Sequence, residues 1–304
     1  MPRGSGVARA GLAMPFFIKW DDVEFCLRGR TAGYPTMMLP GLGIWHMPWT
    51  AKATASDWRA FFLVSNRLVT AALHGPRSPI VLIMHIATHI AAHIVRMSYS
   101  SADLQLWAIE EFLKGPERLH DFQGLGLDPV NSRRRRFVDG TPQPLDALPH
   151  DDGARLTVAP GPSRARAATL LGQVVLRAFT TVAGPAESVP HLRAGEASWP
   201  TVGRLDSVVI LSENRETGTL RQRDAWLACG GTDGRHVLES PGPLAPVPAD
   251  LSVGRRVVEL AGPVESGLDG WRGVHPATHG TRVSPCQSLP TRRGSSKPPA
   301  PFPG

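Results

Sequence analysis

Cysteine is scarce in this chain: three in 304 residues, Cys26, Cys229 and Cys286, far apart and odd in number. That excludes a disulfide framework and a CxxC metal or redox pair, and a reducing cytoplasm fits such usage best. Long apolar runs are missing too. Residues Ile80 to Val95 are apolar, but His85, His89 and His93 interrupt them, and the run falls short of the ~20 residues a membrane span needs. It reads as a buried helix or one lying on a membrane. The opening MPRGSGVARAGLAMPFFIKW has an apolar patch too short for a signal peptide. No internal repeat occurs, and no Asp-x-Asp sequence occurs anywhere. Charged residues make up only 19% of the chain, yet their balance is basic, with a net charge of +7. An anionic partner follows, and nucleic acid, a sugar nucleotide or an acidic membrane face all satisfy it. Arg133 to Arg136 form the one dense basic run, which reads as a solvated linker.

Apolar residues make up 42% of the sequence, enough for one large domain or two small ones. Phe16 to Ile18 reads as a short strand. Asp21 or Asp22 can cap a helix running to about Ala32, with Gly33 as its stop. Tyr34 to Leu39 is a second strand candidate, and Ile44 to Trp49 an extended piece or loop. Ser56 or Asp57 can cap the next helix, whose Trp58, Phe61, Phe62, Leu68, Val69 and Leu73 recur near the helical period. Ile80 to Met97 and Ala102 to Lys114 are further helices. Asp128 to Asp152 reads as a polar connector, Thr169 to Phe179 as a short helix, and SVVIL and GTLRQR, within Trp199 to Arg223, as a β-hairpin. From Arg235 to Gly304 there are 12 Pro and 9 Gly in 70 residues, the composition of a disordered tail.

Chemistry concentrates in Lys19 to Trp49, KWDDVEFCLRGRTAGYPTMMLPGLGIWHMPW. Two adjacent carboxylates, Asp21 and Asp22, sit where a helix begins, and the free N–H groups and dipole there favour negative charge. One can cap the helix while the other faces a cleft as a general base; taken alone, such a pair at a helix start is usually just a cap. His46, between Trp45 and Met47, is either a packed imidazole or a ligand for a divalent transition metal. Trp20, Trp45 and Trp49 are core residues or stacking platforms for sugar rings. His85, His89 and His93 recur at four-residue spacing and share one helix face. Two such His can bind zinc, but no acidic residue accompanies them, and a packed or interfacial face is the plainer reading. Glu110 and Glu111 read as a solvated helix face.

The FIKWDD string, the GYPT turn, the IWHMPW loop, the DWRAFFLVSNRLVTAALH helix, SYSS and the EEFLKGPE helix end together resemble the galactan-polymerising galactofuranosyltransferases of mycobacteria and their relatives. These are GT-A enzymes of glycosyltransferase family 2. The likeness covers about Phe16 to Asp224, strongly to about Glu117 and more weakly over Trp199 to Asp224. It implies an α/β fold. Residues 1–55 would be the acceptor-side remnant of a GT-A domain and 56–125 a helical region. A linker over 126–165, a small helix with a β-hairpin over 166–230, and a disordered tail over 231–304 would follow.

The resemblance also implies inverting, metal-dependent transfer of galactofuranose from UDP-galactofuranose to a lipid-linked galactan. Asp22 would be the catalytic base. Asp21, Trp20 and Trp49 would hold the acceptor, and His46 would ligate manganese or magnesium. That metal site is incomplete here, because the family's other ligands come from an Asp-x-Asp ahead of this motif. The chain alone is therefore expected to be an inactive fragment. A cytoplasmic place, peripheral at the inner face of the plasma membrane, is implied. A homo-oligomer is admitted, and no nucleic acid is expected. The rival reading is a non-catalytic basic module that docks on an anionic membrane or a protein partner through Arg133 to Arg136 and the His-bearing helix.

Overall fold

Helix propensity and a 3.6-residue apolar rhythm organise the first half of the molecule. The computed structural model describes residues 11–35, 37, 58–75, 78, 80–124, 126–153 and 188–224, and beyond them Val264, Gly267, Leu268 and Trp271. Four helices lead: α1 (Asp21–Thr31), α2 (Arg59–His74), α3 (Ile80–Val95) and α4 (Tyr99–Leu113). Phe61, Phe62, Leu68 and Val69 of α2 are fully buried, as are Ala102, Leu104, Leu106, Ala108 and Phe112 of α4. These two helices form the centre of the first core, joined by Phe16, Ile86 and Ile90.

Several expected boundaries move, each for a visible reason. Phe16 to Ile18 is not a strand: the carbonyls of Ile18 and Lys19 are taken by the side-chain amide of Asn66. Neither Asp21 nor Asp22 caps α1; Trp20 is the cap residue, without a side-chain bond, and both carboxylates lie in the first turn. Gly33 does end that helix, at φ +89°, a value that costs glycine nothing. Helix α3 closes at Val95, with Met97 left-handed at φ 53°. Helix α4 starts three residues before Ala102, because the carboxylate of Asp139 accepts hydrogen bonds from Ser100 N and Ser100 Oγ at its first turn.

The second half is a small mixed sheet with its own core. Short helices α5 (Leu119–Gln123) and α6 (Asp128–Arg134) lead to β1 (Gln143–Pro144) and β2 (His150–Asp151). Strands β3 (Ser188–Val189) and β4 (His191–Arg193), helix α7 (Trp199–Val202), β5 (Ser207–Leu211) and β6 (Thr217–Gln222) follow. The four-stranded sheet has the order β1-β6-β5-β4, and β2 pairs with β3. The expected hairpin is β5 and β6, antiparallel from Ser207 opposite Gln222 to Leu211 opposite Gly218. Met97, Tyr99, Phe137, Leu192, Val202, Val208 and Ile210 form the core between sheet and helices. The Tyr99 hydroxyl donates to Asp224 O and accepts from Asp224 N, at 3.2 and 3.0 Å, tying the end of the sheet to the start of α4.

The expected connector is not one throughout. Within it α6 buries Val130 and Arg134, and β1 joins the sheet. The Arg133 to Arg136 run is not simply solvated either. Arg133 grips the fully buried Asp103 with two bonds of 2.5 and 2.9 Å and lies over the Trp107 ring. A buried carboxylate demands such a partner, so the charge is spent inside the fold. Glu111, expected on a solvated face, is buried and accepts from Trp107 Nε1 and Lys114 Nζ.

The expected tail is also corrected in part. Trp271 is buried, stacks on Phe112 at 5.1 Å and donates its Nε1–H to Phe112 O. Val264 and Leu268 join the same core, and a Cβ at Gly267 would come within 2.6 Å of Leu113 Cδ2. Trp271→Phe keeps the stack and removes the donor. A loss of about 1 kcal/mol is expected from the abandoned hydrogen bond, read as a lower midpoint in urea. An unchanged midpoint would show that the segment does not dock. The strand candidate at Tyr34 to Leu39 is not helix or strand at Tyr34, Pro35 and Met37. Its remaining positions lie outside the described residues, as do Ile44 to Trp49 and the expected helix at Thr169 to Phe179.

Candidate functional site

The chain enters α1 through two consecutive left-handed residues, Lys19 at φ 70° and Trp20 at φ 68°. Non-glycine residues pay of order 1–3 kcal/mol each for such a conformation and keep it only where the surroundings impose it. Asn66, fully buried on α2, supplies the restraint: its Nδ2 donates to Ile18 O at 2.8 Å and to Lys19 O at 3.0 Å. Glu24 N closes the turn by donating to Trp20 O at 2.8 Å. Trp20 is half-buried with the Arg67 guanidinium 5.6 Å from its ring, a cation–π arrangement.

Asp21 and Asp22 emerge from this turn exposed to solvent. Asp22 Oδ1 accepts from Val23 N at 2.8 Å. The inner face of α1 is fixed by Glu24, which is 1% exposed. Its carboxylate takes Arg28 Nη2 at 2.8 Å and lies 3.0 Å from His74 Nε2. Burial alone would raise the Glu24 pKa, but the hydrogen bonds from His74 and Arg28 outweigh it and hold the group below the usual value. Arg28 Nη1 also binds Leu12 O at 2.7 Å. One exposed carboxylate pair, set on a helix pinned at two points to α2, can accept a proton from a hydroxyl approaching that end.

Of the residues singled out in the sequence, Trp20, Asp21 and Asp22 are brought together here. His46 and Trp49 lie outside the described residues. Asn66, Glu24 and His74 were not singled out; the only trace of them is polar residues at otherwise apolar helix positions. Among the described residues no three His, Cys, Asp or Glu side chains could together hold a metal ion.

The His-bearing face of α3 is packed at one end and open at the other. His85 and His89 stack at 4.5 Å and are exposed. His93 is buried, and among the described residues its Nδ1 has no hydrogen-bond partner. Burial, with Arg96, Arg221 and His89 nearby, pushes the His93 imidazole down to about 3. Ile80, Val81 and Met84 at the start of α3 are exposed, and no helix among the described residues is long and apolar enough to cross a membrane.

Comparison with known proteins adds three findings. Residues 82–229 match the family model described as galactofuranosyltransferase-2, domain 3. The galactofuranosyltransferase GlfT2 of Mycolicibacterium smegmatis is 34% identical over 223 residues, covering 70% of this chain and 34% of that protein. The galactofuranosyltransferase GlfT2 of Mycobacterium tuberculosis is 40% identical over 139 residues, covering 44% of this chain and 22% of that protein. The chain thus spans about a third or less of the length of these relatives. The matched domain runs across α3, α4 and the whole of the small sheet.

Proposed function

From a chain that is galactofuranosyltransferase-like over this part of its length, we propose that it carries the acceptor side of an inverting galactofuranosyl transfer. The observation that carries the reading is the strained, clamped turn that presents Asp21 and Asp22 together at the open end of α1. Asp22 takes the proton of the acceptor hydroxyl, whose oxygen then displaces the diphosphate of UDP-galactofuranose with inversion. Asp21 accepts a hydrogen bond from a neighbouring hydroxyl, and Trp20 and Trp49 give the galactan rings apolar faces to stack on. His46 would supply one ligand to a divalent metal, manganese or magnesium, which would steady the leaving diphosphate. The 304 residues hold no Asp-x-Asp sequence, so the donor's diphosphate needs ligands that this chain does not supply by itself. Transfer by the chain alone is accordingly expected to be undetectable.

The exposed Ile80, Val81 and Met84 support a peripheral membrane contact at the inner face, where a lipid-linked galactan would lie. The rival reading, a basic docking module, is weakened because Arg133 and Arg134 are turned into the protein. The test combines the chain with the donor-binding part of a relative, UDP-galactofuranose, manganese or magnesium, and a short galactan. Elongation with inverted configuration at the new linkage is expected. Retained configuration, or elongation that does not depend on this chain, would overturn the reading.

A further inference from the structure

We propose that Asn66 is the positioning residue of this site, acting on Asp22 through the backbone of Lys19 and Trp20. The proposal rests on the acceptor-side reading above and deepens it. Asn66 lies in the middle of α2, and Ser65 Oγ, 3.3 Å from both Phe62 O and Asn66 Oδ1, can donate to either. The two carbonyls of the turn can be met only by the amide nitrogen, which sets the sense of the side chain. The nitrogen's two hydrogens reach two successive carbonyls, Ile18 O and Lys19 O. A side-chain amide at this position offers two donors on one atom. The residues it holds, Lys19 and Trp20, have the left-handed φ that a β-carbon resists. Without the clamp the turn can relax to ordinary backbone values, and α1 then begins in another direction.

The second anchor does not replace the first. Glu24, with Arg28 and His74, holds the inner face of the same first turn of α1 that carries Asp21 and Asp22, whereas Asn66 holds the left-handed backbone that leads into it. Asn66 touches no substrate in this scheme. Its contribution appears in where the turn sets Trp20, Asp21 and Asp22.

The test compares Asn66→Asp and Asn66→Ala with the unsubstituted chain, since a buried carboxylate facing two carbonyls could unfold the first variant. Backbone chemical shifts of Lys19 and Trp20 report the left-handed conformation directly and need no enzyme activity. In the reconstituted transfer reaction kcat is expected to fall roughly tenfold or more, as misplaced catalytic groups do, and acceptor KM to rise, because Trp20 and Asp21 move with the turn. Adding Lys19→Gly, which removes the β-carbon that resists the turn, is expected to recover part of kcat. Variants that keep the left-handed shifts overturn the proposal, as does a relaxed turn with unaltered kcat. If the unsubstituted chain supports no transfer, the acceptor-side reading fails, while the shifts still decide whether Asn66 sets the turn.

Discussion

Asp22→Asn is expected to lower galactofuranosyl transfer in the reconstituted reaction by ~10²–10⁴-fold, the range that a positioned general base contributes. The substitution keeps the shape of the side chain and its bond from Val23 N, so neither the fold nor the start of α1 has reason to change. What it removes is the ability to take a proton. Acceptor KM should therefore stay close to its original value while kcat collapses, the signature of a group needed only in the transition state. Asp21→Asn should do the reverse, raising KM with a smaller effect on kcat. The measurement is initial rate against acceptor concentration for both variants. Equal rates for Asp22→Asn and the unsubstituted chain would remove Asp22 from the mechanism.

Acid is expected to destabilise the fold through His93. Its imidazole is buried on α3, and its pKa is held near 3 by burial, with Arg96, Arg221 and His89 adding repulsion. In the unfolded chain the group returns to about 6.5. The unfolded state thus binds a proton that the folded state refuses, and stability is full above about pH 6.5 and falls as pH drops from there towards 3. At about 1.4 kcal/mol per unit, the loss by pH 4 is on the order of 3 kcal/mol. His93→Leu should flatten this slope, because a leucine has no proton to gain and the Nδ1 it removes has no hydrogen-bond partner among the described residues. Urea midpoints at intervals between pH 7 and 4 test it. A slope unaltered by His93→Leu would place the acid sensitivity elsewhere in the fold; Glu24, with its lowered pKa, loses its contribution only at the acid end of this range and below it.

The helical half was legible because its signals are local. The Phe61, Phe62, Leu68 and Val69 stripe and the Gly33 stop follow from spacing and backbone freedom alone, and the hairpin follows from SVVIL and GTLRQR around a polar turn. What the sequence hid depends on partners far along the chain. The start of α4 at Tyr99 is set by Asp139, 39 residues on from Ser100. The fate of Arg133 is set by Asp103, 30 residues before it. The docking of Trp271 lies 159 residues from Phe112 and inside a segment whose composition argued against any packing. In the site, the DD pair was visible as chemistry and the resemblance gave it a role. The clamp that aims it was not visible, because an asparagine inside an apolar helix carries no sign of which carbonyls it will meet.

The most direct measurement is a nuclear magnetic resonance titration of the chain with a short galactofuranose oligomer, without donor or metal. Saturable shifts of the Trp20, Asp21 and Asp22 backbone signals and of the Trp20 indole are expected, absent with a glucose oligomer of equal length. No shift at that turn, or shifts confined to the exposed Arg135 end of α6 on adding anionic lipid vesicles instead, would contradict an acceptor site there and favour the docking module.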